Sequence, residues 1–248
     1  MLLGFNFIVT LLVIFPPLLY TFILYLTSPQ GSIQFKNCIY CVIAGILSIG
    51  LLDFLNLPFS HWNKFYVFGD VFDVNFKVVA AREELVKYIM FIIMIINFRK
   101  EKTLHPVTYM LYFGMVGLGF ALLENFGYYQ EYGPFVLKSR PFNATLIHMN
   151  CGLLFGYWIG LSKIIKSPSK SNSVATYLLA GKPKLKSILY FIAGYTTAVL
   201  YHGIHNFNIA TSGFATGSIM LIWIVFGLIV VKLLYRDLII EYEKNKIE

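Results

Sequence analysis

The sequence predicts an all-α, polytopic membrane bundle of about seven transmembrane helices, forming one membrane-embedded domain over residues 1–248. Three observations carry that expectation. The chain is 58% hydrophobic and only 13% charged, where soluble domains carry about 25% charged residues. Seven apolar segments approach the roughly 20 residues that a helix needs to cross a bilayer. The basic residues alternate between loops as the positive-inside rule expects: fourteen fall in the first, third and fifth loops and the C-terminal tail, against Lys64, Lys77, Lys138 and Arg140 on the other face. That sorting puts the N-terminus outside and the C-terminus in the cytoplasm of a multi-pass cell-membrane protein. It also accounts for the net charge of +8 without any nucleic-acid partner.

The first span, Phe5–Leu26, lacks a basic leading region and contains Pro16-Pro17, so it reads as an anchor and not as a cleaved signal. The second, Ile39–Leu57, has Cys38 and Cys41 at its cytoplasmic end and Asp53 near its outer end. Three cysteines, with Cys151, make no disulfide framework and no zinc pair of pairs, so they read as small packing residues. From Pro58 to Lys77 an aromatic stretch with Trp62, Phe65, Tyr66, Phe68, Phe72 and Phe76 is expected to lie in the outer interface. The third span, Val79–Phe98, opens with Arg82, Glu83, Glu84 and Lys87. The fourth, fifth, sixth and seventh follow as Val107–Tyr128, Phe142–Leu161, Ile188–Phe207 and Ser218–Leu234. Between the fifth and sixth, Ser162 to Lys186 is rich in Ser, Lys and Pro and reads as a flexible cytoplasmic loop.

Charge inside a span costs about 2.5–3.5 kcal/mol per group at the bilayer centre on insertion scales, so it marks function. At 1.5 Å per residue, Glu83 and Glu84 lie about 6–8 Å below the start of the third span and Glu124 about 6 Å from the end of the fourth. His148 lies about 9 Å into the fifth and His202 about 8 Å from the end of the sixth. The helices alternate in direction, yet these groups share one level in the outer leaflet. Asp53 falls about 6 Å from its outer end and is given a minor part in the same layer.

Spacing within the helices adds chemistry. Lys87 is four residues from Glu83 and three from Glu84, so it can pair with either and leave the other free for acid–base work. His202 and Asn206 are one turn apart and can both donate to one oxyanion position. His205 reads as a helix-end histidine near the interface, Arg140 as a residue that positions a substrate or, by preference, contacts lipid headgroups, and His61 and His105 as loop residues. Asn143-Ala144-Thr145 matches a glycosylation sequon at the membrane boundary.

Four blocks stand in order across spans three to six: Glu83-Glu84-x-x-Lys87; Gly119 to Asn125 followed by Tyr128; Arg140 to His148; and His202-Gly203-x-x-Asn206. They cover about half of the chain and resemble the PrsW family of intramembrane proteases, within the wider group of type II CAAX prenyl endopeptidases and bacteriocin-processing membrane proteins. The prenyl endopeptidases place an arginine four residues after the second glutamate and end the second motif in histidine. Lys87 and Glu124 stand here instead, which is similar to PrsW and argues against a prenylated substrate. The resemblance implies a helical bundle around a water-filled site in a bacterial plasma membrane. It further implies a first cut in a single-pass membrane protein, typically an anti-sigma factor, on the extracytoplasmic side.

The expected chemistry is peptide hydrolysis by a catalytic core spanning about residues 79–207. Glu83 or Glu84 activates water, His148 helps hold it, the other glutamate pairs with Lys87, and His202 and Asn206 stabilise the oxyanion. Glu124 orients a histidine or completes the water site. No cofactor is required in that scheme. A zinc ion is the alternative, with His148, His202 and Glu124 as candidate ligands, although the His-Glu-x-x-His signature is absent. The competing function is a proton-coupled transporter or channel using the same carboxylates and histidines, for which no repeat symmetry is visible. A scaffold that has lost activity, and a thiol mechanism through Cys38 or Cys151, fit less of the pattern.

Overall fold

The computed structural model describes residues 7–55, 68–98, 104–138, 140–164, 183–211 and 216–247. These are 94% helical and contain no strand. Seven long helices run α1 Phe7–Leu26, α2 Phe35–Phe54, α3 Ala81–Phe98, α4 Pro106–Tyr132, α5 Arg140–Ile164, α6 Pro183–Thr211 and α7 Thr216–Ile247. Most exceed the expected spans at one or both ends because polar caps and interfacial residues continue the helix beyond its apolar window. His105, for example, accepts a hydrogen bond from the Val107 amide at 3.2 Å. Pro106 then fills the first helical position, where no amide is needed, and α4 ends at Gly133 with φ 74°.

Five of the seven, α2 and α4 to α7, are long and apolar enough to cross a membrane. The described apolar part of α1 is shorter, Leu11–Leu26. α3 carries four charges in its first seven residues, yet it packs inside the bundle. The interfacial stretch expected before it is helical where described: Phe68–Asp73 is a short helix and Val74–Ala80 a π-helical segment that leads without a break into α3. Trp62, Phe65, Tyr66 and His61 lie outside the described residues, as does 165–182 of the expected cytoplasmic loop.

α4 and α5 form the centre, with 83% and 78% of their spanning windows buried, against 28% and 17% for α6 and α7. The outer helices present Ile188, Ile192, Ile222, Ile229 and Leu233 outward, as lipid-facing residues do. In lipid there is little hydrophobic drive between helices, so close backbone approach must hold them together. A Cβ at Gly117 would overlap the carbonyl oxygen of His148, and one at Gly119 that of Val42. These two glycines therefore seat α4 against α5 and α2 at the level of the charged residues. On the opposite side, a Cβ at Gly203 would overlap the ring of Phe76, so α6 lies directly on the π-helical segment.

Below that level, Phe91, Phe113 and Phe155 stack α3, α4 and α5 together, with ring centroids 3.7 and 4.6 Å apart. α7 is tied on by Tyr157, which donates to Asp237 at 2.7 Å, and by Trp223, which donates to the Tyr201 carbonyl at 3.1 Å. Cys38, Cys41 and Cys151 are buried free thiols, as packing residues would be.

Candidate active site

The charged residues of four helices converge at one end of the bundle. Glu83, Glu84 and Lys87 come from the first turns of α3, Glu124 from the last turns of α4, His148 from α5 and His202 from α6. All are nearly inaccessible: Glu83, Glu84, Lys87, Glu124, His148 and His202 are each at most 6% exposed. Buried charges survive only when paired, and here they pair in one continuous chain.

That chain begins at Arg140 Nη2, 2.7 Å from Glu124 Oε1. The other Glu124 oxygen is 2.8 Å from His148 Nε2. On the far side of the same ring, Lys87 Nζ is 3.0 Å from His148 Nδ1 and 2.7 Å from Glu84 Oε1. Glu84 Oε1 also lies 2.8 Å from His202 Nδ1. The Lys87 nitrogen donates, so His148 Nδ1 accepts and its Nε2–H donates to Glu124. His202 Nδ1–H likewise donates to Glu84. The Nε2 lone pair of His202 is left facing Glu83 Oε2 at 3.8 Å.

Spacing on α3 allowed Lys87 either glutamate, and the fold selects Glu84. Glu83 Oε2 is consequently a buried carboxylate oxygen with no hydrogen-bond partner among the described residues. It opens onto a cavity of about 60 Å³ that is also lined by Glu124, Arg140, His148, His202 and Asn206. An orphaned buried acceptor costs about 1–3 kcal/mol or more, so an arrangement that keeps one serves a ligand or a reaction.

Three placements differ from the sequence expectation. Arg140 does not reach toward lipid: it pairs with Glu124, and its guanidinium carbon sits 3.4 Å from the centroid of the Tyr128 ring. His205 is buried and lines the same cavity, not the interface. Asp53 is exposed and lies outside the catalytic cavity, in a neighbouring one. Both missed residues had a signal: His205 is one turn from His202, and Arg140 is about two turns from His148. The sequon falls in α5, where Thr145 is fully buried and accepts from Asn125 at 3.1 Å.

The donor set suits a divalent metal, with one change from the expected ligands. Atoms of Glu83, His148 and His202 lie within 4.8 Å of one another, whereas both Glu124 oxygens are already engaged. Two histidines and a glutamate are a common catalytic zinc set, and the orphaned Glu83 Oε2 and the open His202 Nε2 are two of its three donors. His148 offers the third, but both of its nitrogens are engaged, Nδ1 by Lys87 and Nε2 by Glu124, so one of those hydrogen bonds must be released before it can act as a ligand. Atoms of Glu84, Cys151 and His202 also lie within 4.8 Å of one another.

No curated protein and no solved structure matches the chain. A family model described as PrsW family intramembrane metalloprotease matches residues 34–233, which includes every residue of the network and four-fifths of the sequence. With an all-helical bundle, paired buried carboxylates and histidines, and this match, the chain belongs to the PrsW family and is a membrane-embedded endopeptidase.

Proposed function

We propose that the protein cuts a single-pass membrane protein close to the extracytoplasmic surface, with Glu83 as the general base. The observation that carries this reading is the unequal state of the three carboxylates. Glu84 is held by Lys87 and His202, and Glu124 by Arg140 and His148, while Glu83 Oε2 alone of these faces the cavity without a partner.

A water seated between Glu83 Oε2 and His202 Nε2 gives its proton to Glu83 as its oxygen bonds to the scissile carbonyl carbon. Glu83 then returns the proton to the leaving amine as the carbon–nitrogen bond breaks. His202 accepts at Nε2 in this arrangement, so donation to the oxyanion falls to Asn206 and Arg140, which line the cavity. His148, committed at both nitrogens, orders Glu124 and Lys87 instead of holding water. A divalent metal bound by Glu83, His148 and His202 would supply Lewis-acid polarisation of the scissile carbonyl.

The network sits at the end of the bundle opposite the basic loops after α3 and α5, which supports an N-terminus outside, a cytoplasmic C-terminus and a site in the outer leaflet of the membrane. Such a site fits the first cut of a single-pass regulator such as an anti-sigma factor. Membrane proteomes from cells carrying wild-type protein or Glu83→Gln test the proposal. Single-pass proteins should accumulate uncut in the variant at normal protease levels, and identical proteomes would refute it.

A further inference from the structure

A second, larger cavity of about 430 Å³ lies beside the catalytic one, where the C-terminal ends of α2 and α4 meet. Its size falls within the roughly 300–1,000 Å³ of ligand sites. Ile49 and Asp53 line it from α2, and Leu123, Phe126, Gly127 and Glu131 from α4. Glu124 and Tyr128 line both cavities, so a single wall one helical turn long separates them. Arg140 clamps both of those residues from the catalytic side.

We propose that this larger cavity seats the stretch of substrate polypeptide next to the scissile bond, an apolar segment carrying a basic residue. The inference rests on the proteolytic reading above. The catalytic cavity, at about 60 Å³, has room for a few waters but not for a peptide. The chain flanking the bond must therefore lie in adjoining space, and the larger cavity shares its wall.

Gly127 supplies an independent reason. Glycine inside a helix costs roughly 0.5–1 kcal/mol relative to alanine, and at Gly117, Gly119 and Gly203 close packing explains it. At Gly127 a Cβ would meet nothing within 4 Å, and its φ is not positive. Gly50 in α2 has the same open space but is exposed and outside the cavity lining, whereas at Gly127 the missing side chain adds to the cavity itself. Among the described residues the lining includes Asp53 and Glu131 and no basic residue, and it adjoins two helix C-termini, whose dipoles add negative potential. A lysine or arginine of the substrate matches that field.

Two measurements on the full chain in native membranes test this. Gly127→Trp puts a large side chain into the cavity from a Cβ position with no atom within 4 Å, and Gly50→Trp, at an exposed glycine of α2 outside the cavity lining, serves as its control. The uncut proteins that accumulate with Glu83→Gln should accumulate at least tenfold with Gly127→Trp and not with Gly50→Trp, at equal protease level and thermal stability. Normal processing by Gly127→Trp overturns the assignment while leaving the protease reading intact. A benzophenone amino acid at Phe126 should crosslink to one of those same proteins, at or beside its cut site. Adducts with phospholipid alone, or with none of those proteins, also overturn it. If Glu83→Gln causes no accumulation, the proteolytic reading fails instead.

Discussion

Replacing Lys87 by methionine should do two things at once. The ammonium is 3% exposed and bonds both Glu84 and His148, and it lies 4.2 Å from the centroid of the Phe120 ring. Methionine keeps the apolar stem but leaves Glu84 a buried carboxylate without its cation, with His202 and Cys151 beside it. Removing one member of a buried ion pair costs about 3–5 kcal/mol, which for a chain of this size lowers Tm by roughly 6–20 °C. The same change frees His148 Nδ1 and removes a positive charge within hydrogen-bonding distance of it. Loss of an outer partner usually weakens a metal site by on the order of 10–100-fold; here the partner lost is itself a cation that repels the metal, so binding should tighten instead. Thermal unfolding in detergent and calorimetric titration with zinc and cobalt on the purified variant read both effects without any substrate. A Tm within about 2 °C of wild type would refute the buried pairing. Metal binding no tighter than wild type would refute competition between Lys87 and the metal for His148.

Asn206→Ala should lower kcat by about 10²–10³-fold with KM nearly unchanged, as loss of an oxyanion donor does, measured on a substrate identified by the proteome comparison. Gly117→Leu should push α4 from the His148 backbone and cost about 3 kcal/mol or more, read as loss of folded protein in detergent, whereas Gly127→Ala should be neutral or slightly stabilising. Asp53→Asn combined with Glu131→Gln should raise KM several-fold for a substrate with a lysine beside the cut and leave kcat unchanged; an equal effect on a substrate lacking that lysine would count against the charge match.

The pairing of α3 shows how far a linear reading goes. Positions 83, 84 and 87 lie on neighbouring faces of one helix, so their proximity follows from 3.6 residues per turn alone. Which glutamate Lys87 takes does not, because that depends on where α6 delivers His202. Glu84 receives both, and Glu83 is released by exclusion. Arg140 was misplaced for a related reason: at the mouth of a span an arginine meets lipid or protein with equal ease on sequence grounds, and only the packing of α5 on α4 brings Glu124 to 2.7 Å.

By itself, the sequence determined the helical membrane class, the positions of the spans to within about five residues except for the last, which runs thirteen residues past its expected end, the level at which the charges collect, and the family. Those follow from local quantities: hydrophobic run length, loop charge and motif order. The tertiary structure alone decided which carboxylate is left open, that Glu83 stands in for Glu124 among the possible metal ligands, that His205 faces the cavity, and that a second cavity adjoins the first. Each of these depends on how helices distant in sequence rotate about their axes and how closely their backbones approach, and one glycine contact, such as Gly117 on His148 or Gly203 on Phe76, fixes that geometry.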